Sequence, residues 1–293
     1  MSRTTLLTGS SGFLGRYLLK YSPPDDQKII AHYRTEPPAH YGRDVQFVQL
    51  DFLEDDWSAL ETLRPQLIIH TAAMAAIDEC EVKPEISHYI NFEATRRLTD
   101  LAAERQARFI FISSDVVFDG SKGQYREDDL PNPQSVYANS KLQAENYVLE
   151  HLPDAVVLRP SVFYGLTLNG RPSFTQTMLR NLHEGKQVFL FTDQYRSPLL
   201  VNNLAEATWE IADMDFSGIL HMGGPERMSR MEMGEVLCDL FKLDRSLLVP
   251  IQSAPANLIA PRPLDCSLNS SLAHQLLKTN LVDCRTGFSI AFR

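Results

Sequence analysis

Short apolar segments rich in β-branched and aromatic residues alternate with segments of helical spacing through the first half of the chain. Strands are predicted over 5–8, 28–32, 45–50, 67–71, 108–113 and 155–162. Helices are predicted between several of them, over 13–19, 90–105 and 140–151. Strands that alternate with helices imply right-handed crossovers, and hence a parallel sheet covered on both faces. The predicted fold class is therefore α/β, with a doubly wound parallel sheet.

The second half of the chain alternates less regularly. Helices are predicted over 174–184, 203–213 and 231–243, and strands over 187–191 and 218–222. Prolines at 255, 261 and 263 interrupt the segment that follows. We therefore predict two parts: residues 1–165 form the main sheet, and residues 166–293 form a smaller, interleaved region from which some segments return to that sheet.

Composition narrows the classes of partner. The chain has 37 acidic and 28 basic residues and a formal charge of -9, which disfavours nucleic acids and anionic membrane surfaces. The four cysteines are widely spaced without a CxxC pair, which favours a reducing compartment. No signal-peptide pattern and no run of about 18 apolar residues is present, so we expect a cytoplasmic protein. The eight histidines show no metal-ligand spacing, and no metal is expected.

A glycine-rich segment follows the first predicted strand and opens the first predicted helix, and it reads Thr8-Gly9-Ser10-Ser11-Gly12-Phe13-Leu14-Gly15. Gly9 permits a tight turn, Gly12 lets backbone N–H groups approach a pyrophosphate, and Gly15 allows the helix to pack closely on the sheet. This position favours a dinucleotide-binding loop over an ordinary turn. The expected cofactor contacts in this segment are Gly9, Ser11, Gly12, Phe13, Leu14 and Gly15.

The end of the second predicted strand bears on which dinucleotide is bound. An acidic side chain at this place binds the ribose 2′-OH of NAD, whereas a cation accommodates the 2′-phosphate of NADP. The segment reads Ala31-His32-Tyr33-Arg34 and contains no carboxylate. Arg34 therefore favours NADP over NAD, although NAD, with Arg34 merely solvated, stays open.

Residues after the third and fourth predicted strands complete the predicted cofactor site. Asp51 is placed to accept a hydrogen bond from the adenine amino group, or else to act as a helix-capping or turn carboxylate. Phe52 follows it at the same strand end. Ala72 and Ala73 are small enough to let a cofactor lie against the fourth strand, or to let helices pack tightly.

A phenol and an ammonium stand four residues apart in Tyr137-Ala138-Asn139-Ser140-Lys141, which places both on one face of a helix. Because an ammonium stabilises phenolate, Tyr137 can act as a general acid or base closer to neutral pH. Ser114 ends the fifth predicted strand, at the sheet edge where open α/β folds bind ligands, and its hydroxyl can stabilise a carbonyl oxygen that gains negative charge. The combination predicts proton transfer at a carbonyl group. Taken singly, the Tyr137 and Lys141 pair could occur by chance, and Ser114 could be a strand-end cap.

Together these motifs resemble those of the extended short-chain dehydrogenases/reductases, the family of nucleotide-sugar epimerases, dehydratases and reductases. The resemblance covers nearly the whole chain and includes Leu158-Arg159-Pro160-Ser161-Val162-Phe163-Tyr164-Gly165, with Pro160 as a cofactor contact. It implies a Rossmann-type fold and an NAD(P)-dependent oxidoreductase. By this resemblance Tyr137 is the general acid, Lys141 lowers its pKa and binds the nicotinamide ribose, and Ser114 orients the substrate carbonyl. Asn91 would support a proton relay, unless it only satisfies a helix kink.

Within that family, residues 113–120, 193–194, 223–224 and 262–268 resemble dTDP-4-dehydrorhamnose reductases. Val116 and Val162 replace two aromatic residues that are usual there, and the glycine loop is more similar to that of an epimerase. Arg196 and Arg262 are expected to clamp a diphosphate, with solvated loop arginines as the alternative. The substrate contacts implied are Ser114, Asp115, Val116, Arg196 and Arg262.

The favoured hypothesis is an NADP-dependent reductase of a keto group on a nucleotide-linked sugar. An epimerase of the same family and a non-catalytic NADP-binding subunit, like that attached to methionine adenosyltransferase, are the alternatives. Dehydration is disfavoured because Asp115 is the single carboxylate beside Ser114. The partner expected is a small molecule, a nucleotide sugar, and a homodimer is left open.

Overall fold

The computed structural model describes residues 3–23, 27–38, 45–168, 171–254, 256 and 258–293. The chain forms two compact units, and each is discontinuous in sequence. The first unit comprises Met1–Ser114, Ser135–Arg159 and Ala205–Leu220, and the second comprises Asp115–Gln134, Pro160–Leu204 and His221–Arg293. The expected division at residue 165 stays a prediction.

Strands and helices alternate through the first half of the chain and mix less regularly afterwards. The strands are β1 (Arg3–Thr8), β2 (Gln27–Tyr33), β3 (Val45–Gln49), β4 (Leu67–His70), β5 (Arg108–Ile112), β6 (Val156–Pro160), β7 (Phe163–Tyr164), β8 (Val188–Phe191), β9 (Tyr195–Arg196), β10 (Leu199–Leu200), β11 (Gly218–Met222), β12 (Met228–Ser229) and β13 (Leu248–Ile251). The α-helices are α1 (Phe13–Lys20), α2 (Ser58–Glu61), α3 (Ile77–Val82), α4 (Pro84–His88), α5 (Ala94–Arg105), α6 (Val136–His151), α7 (Phe174–His183), α8 (Val201–Ala212), α9 (Arg230–Phe241), α10 (Ser271–Leu276) and α11 (Cys284–Phe292). A π-helical segment, Tyr89–Glu93, leads into α5.

The main sheet has seven strands within the described residues, in the order β11-β6-β5-β4-β1-β2-β3. β1 pairs in parallel with both β2 and β4, and Thr8 at its end lies beside His70 at the end of β4. This is the strand order of a Rossmann-type sheet, in which ligands bind at the carboxyl ends of the strands where the order reverses. The predicted α/β, doubly wound fold is confirmed.

The strands at the centre of this sheet are apolar on both faces because helices cover both faces. Every residue of β4 is buried, and Leu6, Ile68 and Phe109 share one apolar core with side chains of α5 and α6. Burial of each such side chain stabilises the fold by about 1.5–3 kcal/mol. This burial explains why short apolar segments located these strands in the sequence.

Two predicted helices differ from the observed ones at their amino-terminal ends. The helix predicted over 140–151 begins at Val136, because the Ser135 hydroxyl caps it by accepting a hydrogen bond from the Ala138 N–H at 3.3 Å. The helix predicted over 90–105 is α-helical from Ala94 and π-helical before it. A capping residue and a helix kink lie outside the hydrophobic pattern that predicts helix interiors.

The second unit has its own apolar core, which includes Tyr164, Met178, Leu237 and Phe288. β8 pairs in parallel with β13, and β9 pairs antiparallel with β12. Two of its helices, α7 and α9, begin with complete capping boxes, in which a serine hydroxyl and the side chain three residues later satisfy each other's backbone N–H groups. In the part of the chain that the structure describes, no helix combines the length and the apolarity needed to span a bilayer.

Candidate active site

The glycine loop between β1 and α1 is shaped by contacts that leave no room for side chains. Gly9 has a φ of +69°, and its carbonyl accepts a hydrogen bond from the Gly12 N–H at 2.9 Å. A Cβ on Gly9 would lie 2.6 Å from the Ala72 nitrogen, and one on Gly15 would lie 2.2 Å from the Gly9 oxygen. Helix α1 has no side-chain cap and no acidic residue in its first turn. Its first N–H groups can therefore bind a phosphate.

A cavity of about 540 Å³ opens beside this loop, within the first unit, at the carboxyl ends of the central strands. Eight of the residues predicted to contact a cofactor line it: Gly9, Ser11, Gly12, Arg34, Asp51, Phe52, Ala72 and Ala73. Six others are not among the described residues that line the cavity: Phe13, Leu14, Gly15, Tyr137, Lys141 and Pro160. The size and the position of the cavity suit a dinucleotide, and the contacts of individual residues with it stay predictions.

Two polar residues predicted to contact the cofactor, Arg34 and Asp51, are placed differently in the cavity. Arg34 is exposed, so that its guanidinium is available to a phosphate. The Asp51 carboxylate accepts a hydrogen bond from the Leu53 N–H at 3.1 Å, which is the geometry of a turn carboxylate. Asp51 still lines the cavity, so its proposed contact with adenine stays a prediction.

His32 is a wall of this cavity that the sequence analysis missed. Its Nδ1 accepts a hydrogen bond from the Gly9 N–H at 3.2 Å, and its Nε2 donates to the Leu50 carbonyl at 3.0 Å. The ring stacks on Phe52 with 4.5 Å between centroids. Burial lowers the pKa of His32 to about 4, so the imidazole is neutral and its two nitrogens have fixed roles. A charged side chain is the sequence signal for a cofactor at the end of β2, and a neutral histidine carries no such signal.

We predict that His32 makes the protein less stable as the pH is lowered from neutral. The folded state holds the His32 pKa at about 4, below its ordinary value of 6.5, so the unfolded chain binds more protons between these values. Stability therefore falls as pH falls through that window, by about 2 kcal/mol between pH 7 and pH 5. In His32→Gln, urea unfolding at the two pH values should show a loss smaller by that amount. The exposed residue His183 provides the control, His183→Asn, which should lose as much as wild type; equal losses in all three proteins would contradict the prediction.

Helix α6 carries the predicted phenol and ammonium, and both side chains are buried. The Lys141 ammonium donates to the carbonyl oxygen of Ile112 at 2.6 Å and lies 4.0 Å from the centroid of the Phe111 ring. Ile112 is the last residue of β5, two positions before Ser114. The first unit thus brings Lys141 to the strand end that carries Ser114. Burial lowers the pKa of Lys141 to about 7, and the negative charge of Glu145 opposes that effect.

Asn91 lies in the π-helical segment and joins two neighbouring elements. Its Oδ1 accepts from the Met74 N–H at 2.8 Å, and its Nδ2 donates to the Met74 carbonyl at 3.1 Å and to the Ser140 hydroxyl at 3.2 Å. Ser140 in turn donates to the Tyr137 carbonyl at 2.8 Å. Asn91 therefore fixes the segment after β4 against the helix of Tyr137 and Lys141. A part in a proton relay stays a prediction.

The other predicted substrate contacts belong to the second unit, and there Arg196 is held by its own chain. Asp115 and Val116 are buried in a 3-10 turn, Asp115–Val117. The buried Arg196 guanidinium donates to the carbonyls of Tyr195 at 2.6 Å and Pro263 at 3.1 Å, and lies 3.6 Å from the Asp115 carboxylate. Arg262 donates to the Ala260 carbonyl at 3.3 Å. The diphosphate clamp stays a prediction, and Arg196 would have to exchange existing hydrogen bonds to take part in it.

Arg230, at the start of α9, is a second residue that the sequence analysis missed. Its guanidinium lies 4.2 Å from the centroid of the Phe174 ring, and its Nη1 lies 3.9 Å from the Met233 sulfur. No carboxylate among the described residues forms an ion pair with it. Burial and the nearby Arg196 cation lower the pKa of Arg230 to about 10. Only the tertiary structure reveals the environment of this guanidinium, because a single arginine in a helix belongs to no sequence motif.

Arg230 lines a cavity of about 560 Å³ in the second unit, together with Phe174, Phe189 and Phe191. This cavity could bind both a phosphate and a planar ring, because guanidinium groups bind phosphate oxygens and aromatic side chains stack on rings. No cluster of three or more His, Cys, Asp or Glu side chains suited to a metal ion occurs among the described residues.

Comparison with known proteins relates the whole chain to one family. The family model described as RmlD substrate binding domain matches residues 3–291. The chain is 31% identical to the probable low-salt glycan biosynthesis reductase Agl14 of Haloferax volcanii, over 90% of this chain and 89% of that protein. It is 32% identical to methionine adenosyltransferase 2 subunit beta of Xenopus laevis, over 91% of this chain and 81% of that protein.

Solved structures agree with the observed fold. The hypothetical dTDP-4-dehydrorhamnose reductase from Sulfolobus tokodaii has a TM-score of 0.83 and 33% identity, covering 97% of this chain and 98% of its own. The dTDP-4-dehydrorhamnose reductase from Bacillus anthracis, solved in complex with NADP, has a TM-score of 0.86 and 22% identity, covering 100% and 99%. At the lower identity the likeness supports the fold alone.

Proposed function

Because this chain belongs to the family of the RmlD substrate-binding domain, we propose that it is an NADP-dependent reductase of a keto group on a nucleotide-linked sugar. One observation carries the proposal: Lys141, four residues after Tyr137 on α6, donates to the end of the strand that leads to Ser114. The same unit contains the glycine loop and the cavity that fit a dinucleotide. The family supports the oxidoreductase class, and the sugar and its nucleotide are the proposed part.

The chemistry assigns one task to each of three side chains. When NADPH is bound, it supplies the hydride that converts the carbonyl carbon into an alcohol carbon. The Tyr137 hydroxyl donates its proton to the carbonyl oxygen, and the Ser114 hydroxyl donates a hydrogen bond to the same oxygen. The Lys141 ammonium stabilises the phenolate that Tyr137 leaves behind.

The choice of NADP rests on the exposed cation at the cavity. Arg34 lines the cavity, and of the two carboxylates that also line it, Asp51 is engaged with the backbone of Leu53 and Glu79 forms an ion pair with Lys83. The Bacillus anthracis reductase was solved with NADP, whereas MoeE5 was solved with UDP-glucose and NAD. Parallel titrations with NADPH and NADH test the assignment. Arg34→Ala should weaken the binding of NADPH and leave the binding of NADH unchanged.

The activity itself is tested by mixing the protein with NADPH and a panel of 4-keto nucleotide sugars and following the loss of NADPH absorbance. A reductase consumes NADPH in proportion to product. An epimerase, which keeps its cofactor through the cycle, interconverts sugars without net loss of NADPH. If no sugar of the panel causes NADPH absorbance to fall, the proposed reaction is contradicted.

We predict that Arg230 contributes to binding of the substrate phosphate. Arg230→Gln removes a cation without an ion-pair partner, and loss of one charge-assisted hydrogen bond costs about 1.5–3 kcal/mol. The KM for the nucleotide sugar should therefore rise at least tenfold, while kcat changes little. Arg245→Gln serves as control, because Arg245 is exposed and paired with Asp239. An unchanged KM in Arg230→Gln would remove Arg230 from the substrate site.

A second candidate function is favoured by the relatives named methionine adenosyltransferase 2 subunit beta. The Xenopus laevis protein is 32% identical over 91% of this chain. Under this alternative the chain binds NADP and regulates a catalytic partner without oxidising NADPH. Size-exclusion chromatography with a methionine adenosyltransferase catalytic subunit separates the two candidates, because only the regulatory subunit should co-elute.

A further inference from the structure

A buried carboxylate on α6 has no part in the chemistry proposed above. Glu145 lies one helical turn after Lys141 and is 1% exposed. It accepts two hydrogen bonds from Arg159 Nε, at 3.0 and 3.1 Å, and one from Arg159 Nη2 at 2.6 Å. It also accepts a hydrogen bond from the Ser113 hydroxyl. The side chains of Ser113, Lys141, Glu145 and Arg159 are all buried. The Glu145 carboxylate therefore has a single, fixed orientation.

The groups that hold Glu145 belong to the strand ends beside the candidate active site. Ser113 directly precedes Ser114, and its backbone N–H donates to the Leu158 carbonyl at 2.7 Å. Arg159 follows Leu158 in β6. Lys141 donates to Ile112, the residue before Ser113. Lys141 and Glu145 thus bind consecutive residues at the end of β5 from consecutive turns of α6.

Stabilisation of the fold is a weak reason to keep such a pair. Replacing a buried ion pair by apolar residues is often neutral or stabilising, because both charges lose their hydration on folding. A buried Lys141 ammonium, by contrast, needs a nearby negative charge to remain protonated. Glu145 supplies that charge within the first unit.

We infer that Glu145 is a positioning residue: fixed by Arg159 and Ser113 one turn from Lys141, its carboxylate keeps the Lys141 ammonium charged and directed at the end of β5. This inference rests on the proposed function, in which the Lys141 ammonium binds the nicotinamide ribose and stabilises the Tyr137 phenolate.

The charged and titratable groups around Lys141 leave Glu145 as its source of negative charge. Tyr137 faces Lys141 from the same helix, and Arg159 contributes a cation from β6. His70 of β4 is neutral, because burial and the Lys141 charge hold its pKa well below the usual value. Two further carboxylates meet α6 more than one turn from Lys141: Glu81 of α3 at Val136, and Asp100 of α5 at Tyr147.

The test measures the dissociation constant of NADPH across pH, by fluorescence titration of wild type, Glu145→Gln and Glu150→Gln. Glutamine keeps the size and an acceptor oxygen but removes the charge, and Glu150 is an exposed carboxylate on the same helix. Wild-type binding should weaken as pH rises and Lys141 loses its proton. In Glu145→Gln this weakening should begin about one pH unit lower and raise the dissociation constant about fivefold at pH 7. Glu150→Gln should follow wild type.

A folded Glu145→Gln protein with the wild-type pH dependence would overturn the inference. Should this variant fail to fold, Glu145→Gln combined with Arg159→Met avoids an unpaired buried cation, and a smaller shift in the same direction is expected, because the repulsion of Lys141 by Arg159 is lost as well. A wild-type pH dependence in the folded double variant would also overturn it. The substrate takes no part in this measurement. If wild type binds NADPH but reduces no keto sugar, the proposed function fails while Glu145 is still tested.

Discussion

Replacing Tyr137 by phenylalanine should abolish turnover while leaving NADPH bound. The substitution removes one hydroxyl from α6 and keeps the ring in its buried place. General acid catalysis typically raises a reaction rate 10²–10⁴-fold. Without a proton donor, hydride transfer would have to leave a negative charge on the carbonyl oxygen, and the reaction would be very slow. We expect kcat to fall by about 10³-fold or more, and the dissociation constant of NADPH to change by less than about threefold. Steady-state kinetics with a reducible keto sugar and fluorescence titration measure the two quantities.

Tyr147→Phe is the matched control for this experiment. Tyr147 lies on the same helix and donates its hydroxyl to Asp100 at 2.7 Å, on the side of α5. Its loss should cost some stability and leave kcat within a factor of about two. If Tyr137→Phe retains more than about a tenth of the wild-type kcat, Tyr137 is not the proton donor.

Replacing Lys141 by methionine should inactivate the enzyme and, at the same time, stabilise the cofactor-free protein at neutral pH. Burial lowers the pKa of Lys141 from 10.5 to about 7, so the unfolded chain binds more protons than the folded one between these values. Wild-type stability therefore rises with pH across that window, and the burden on the folded state is largest at and below pH 7. Methionine fills a similar volume without a charge, at the loss of one hydrogen bond to Ile112.

The two effects of Lys141→Met are measured separately. Activity should fall by about 10³-fold, since neither the ribose nor the phenolate has its cation. Urea unfolding should show a gain in stability over wild type at pH 7 that shrinks by about 2 kcal/mol at pH 9, where wild type is relieved of its buried charge. The exposed Lys186 supplies the control, Lys186→Met, which should show no such pH-dependent gain. A gain in Lys141→Met that is the same at both pH values would argue against a depressed pKa.

A buried lysine that destabilises the fold is a feature of functional sites. Local rules of folding are broken where activity requires a charge, and the remaining interactions compensate. Here the compensation is visible in the bond to Ile112, the contact with the Phe111 ring and the charge of Glu145. The same three interactions direct Lys141 to the strand end that leads to Ser114.

The sequence by itself determined the fold class, the strands β1 to β6 and the family. Strands β1 to β6 begin and end within two residues of their predicted limits, because a parallel sheet covered on both faces requires continuous apolar segments that are visible locally. The glycine loop was recognisable for a similar reason. The spacing of its three glycines is visible in the sequence, and a side chain at Gly15 would collide with the neighbouring Gly9 carbonyl, whereas the limit on Gly9 comes from Ala72 after the distant strand β4.

Only the tertiary structure decided the state and the partners of the charged and polar side chains. The sequence contained His32, Glu145 and Arg230, but nothing near them in the chain shows that His32 binds the glycine loop, that Glu145 binds Arg159, or that Arg230 lies on Phe174. The pKa values of Lys141 and His32 depend on burial by elements far apart in sequence. Hydrophobic periodicity reports which face of an element is covered, whereas charge state and hydrogen-bond partners depend on what covers it.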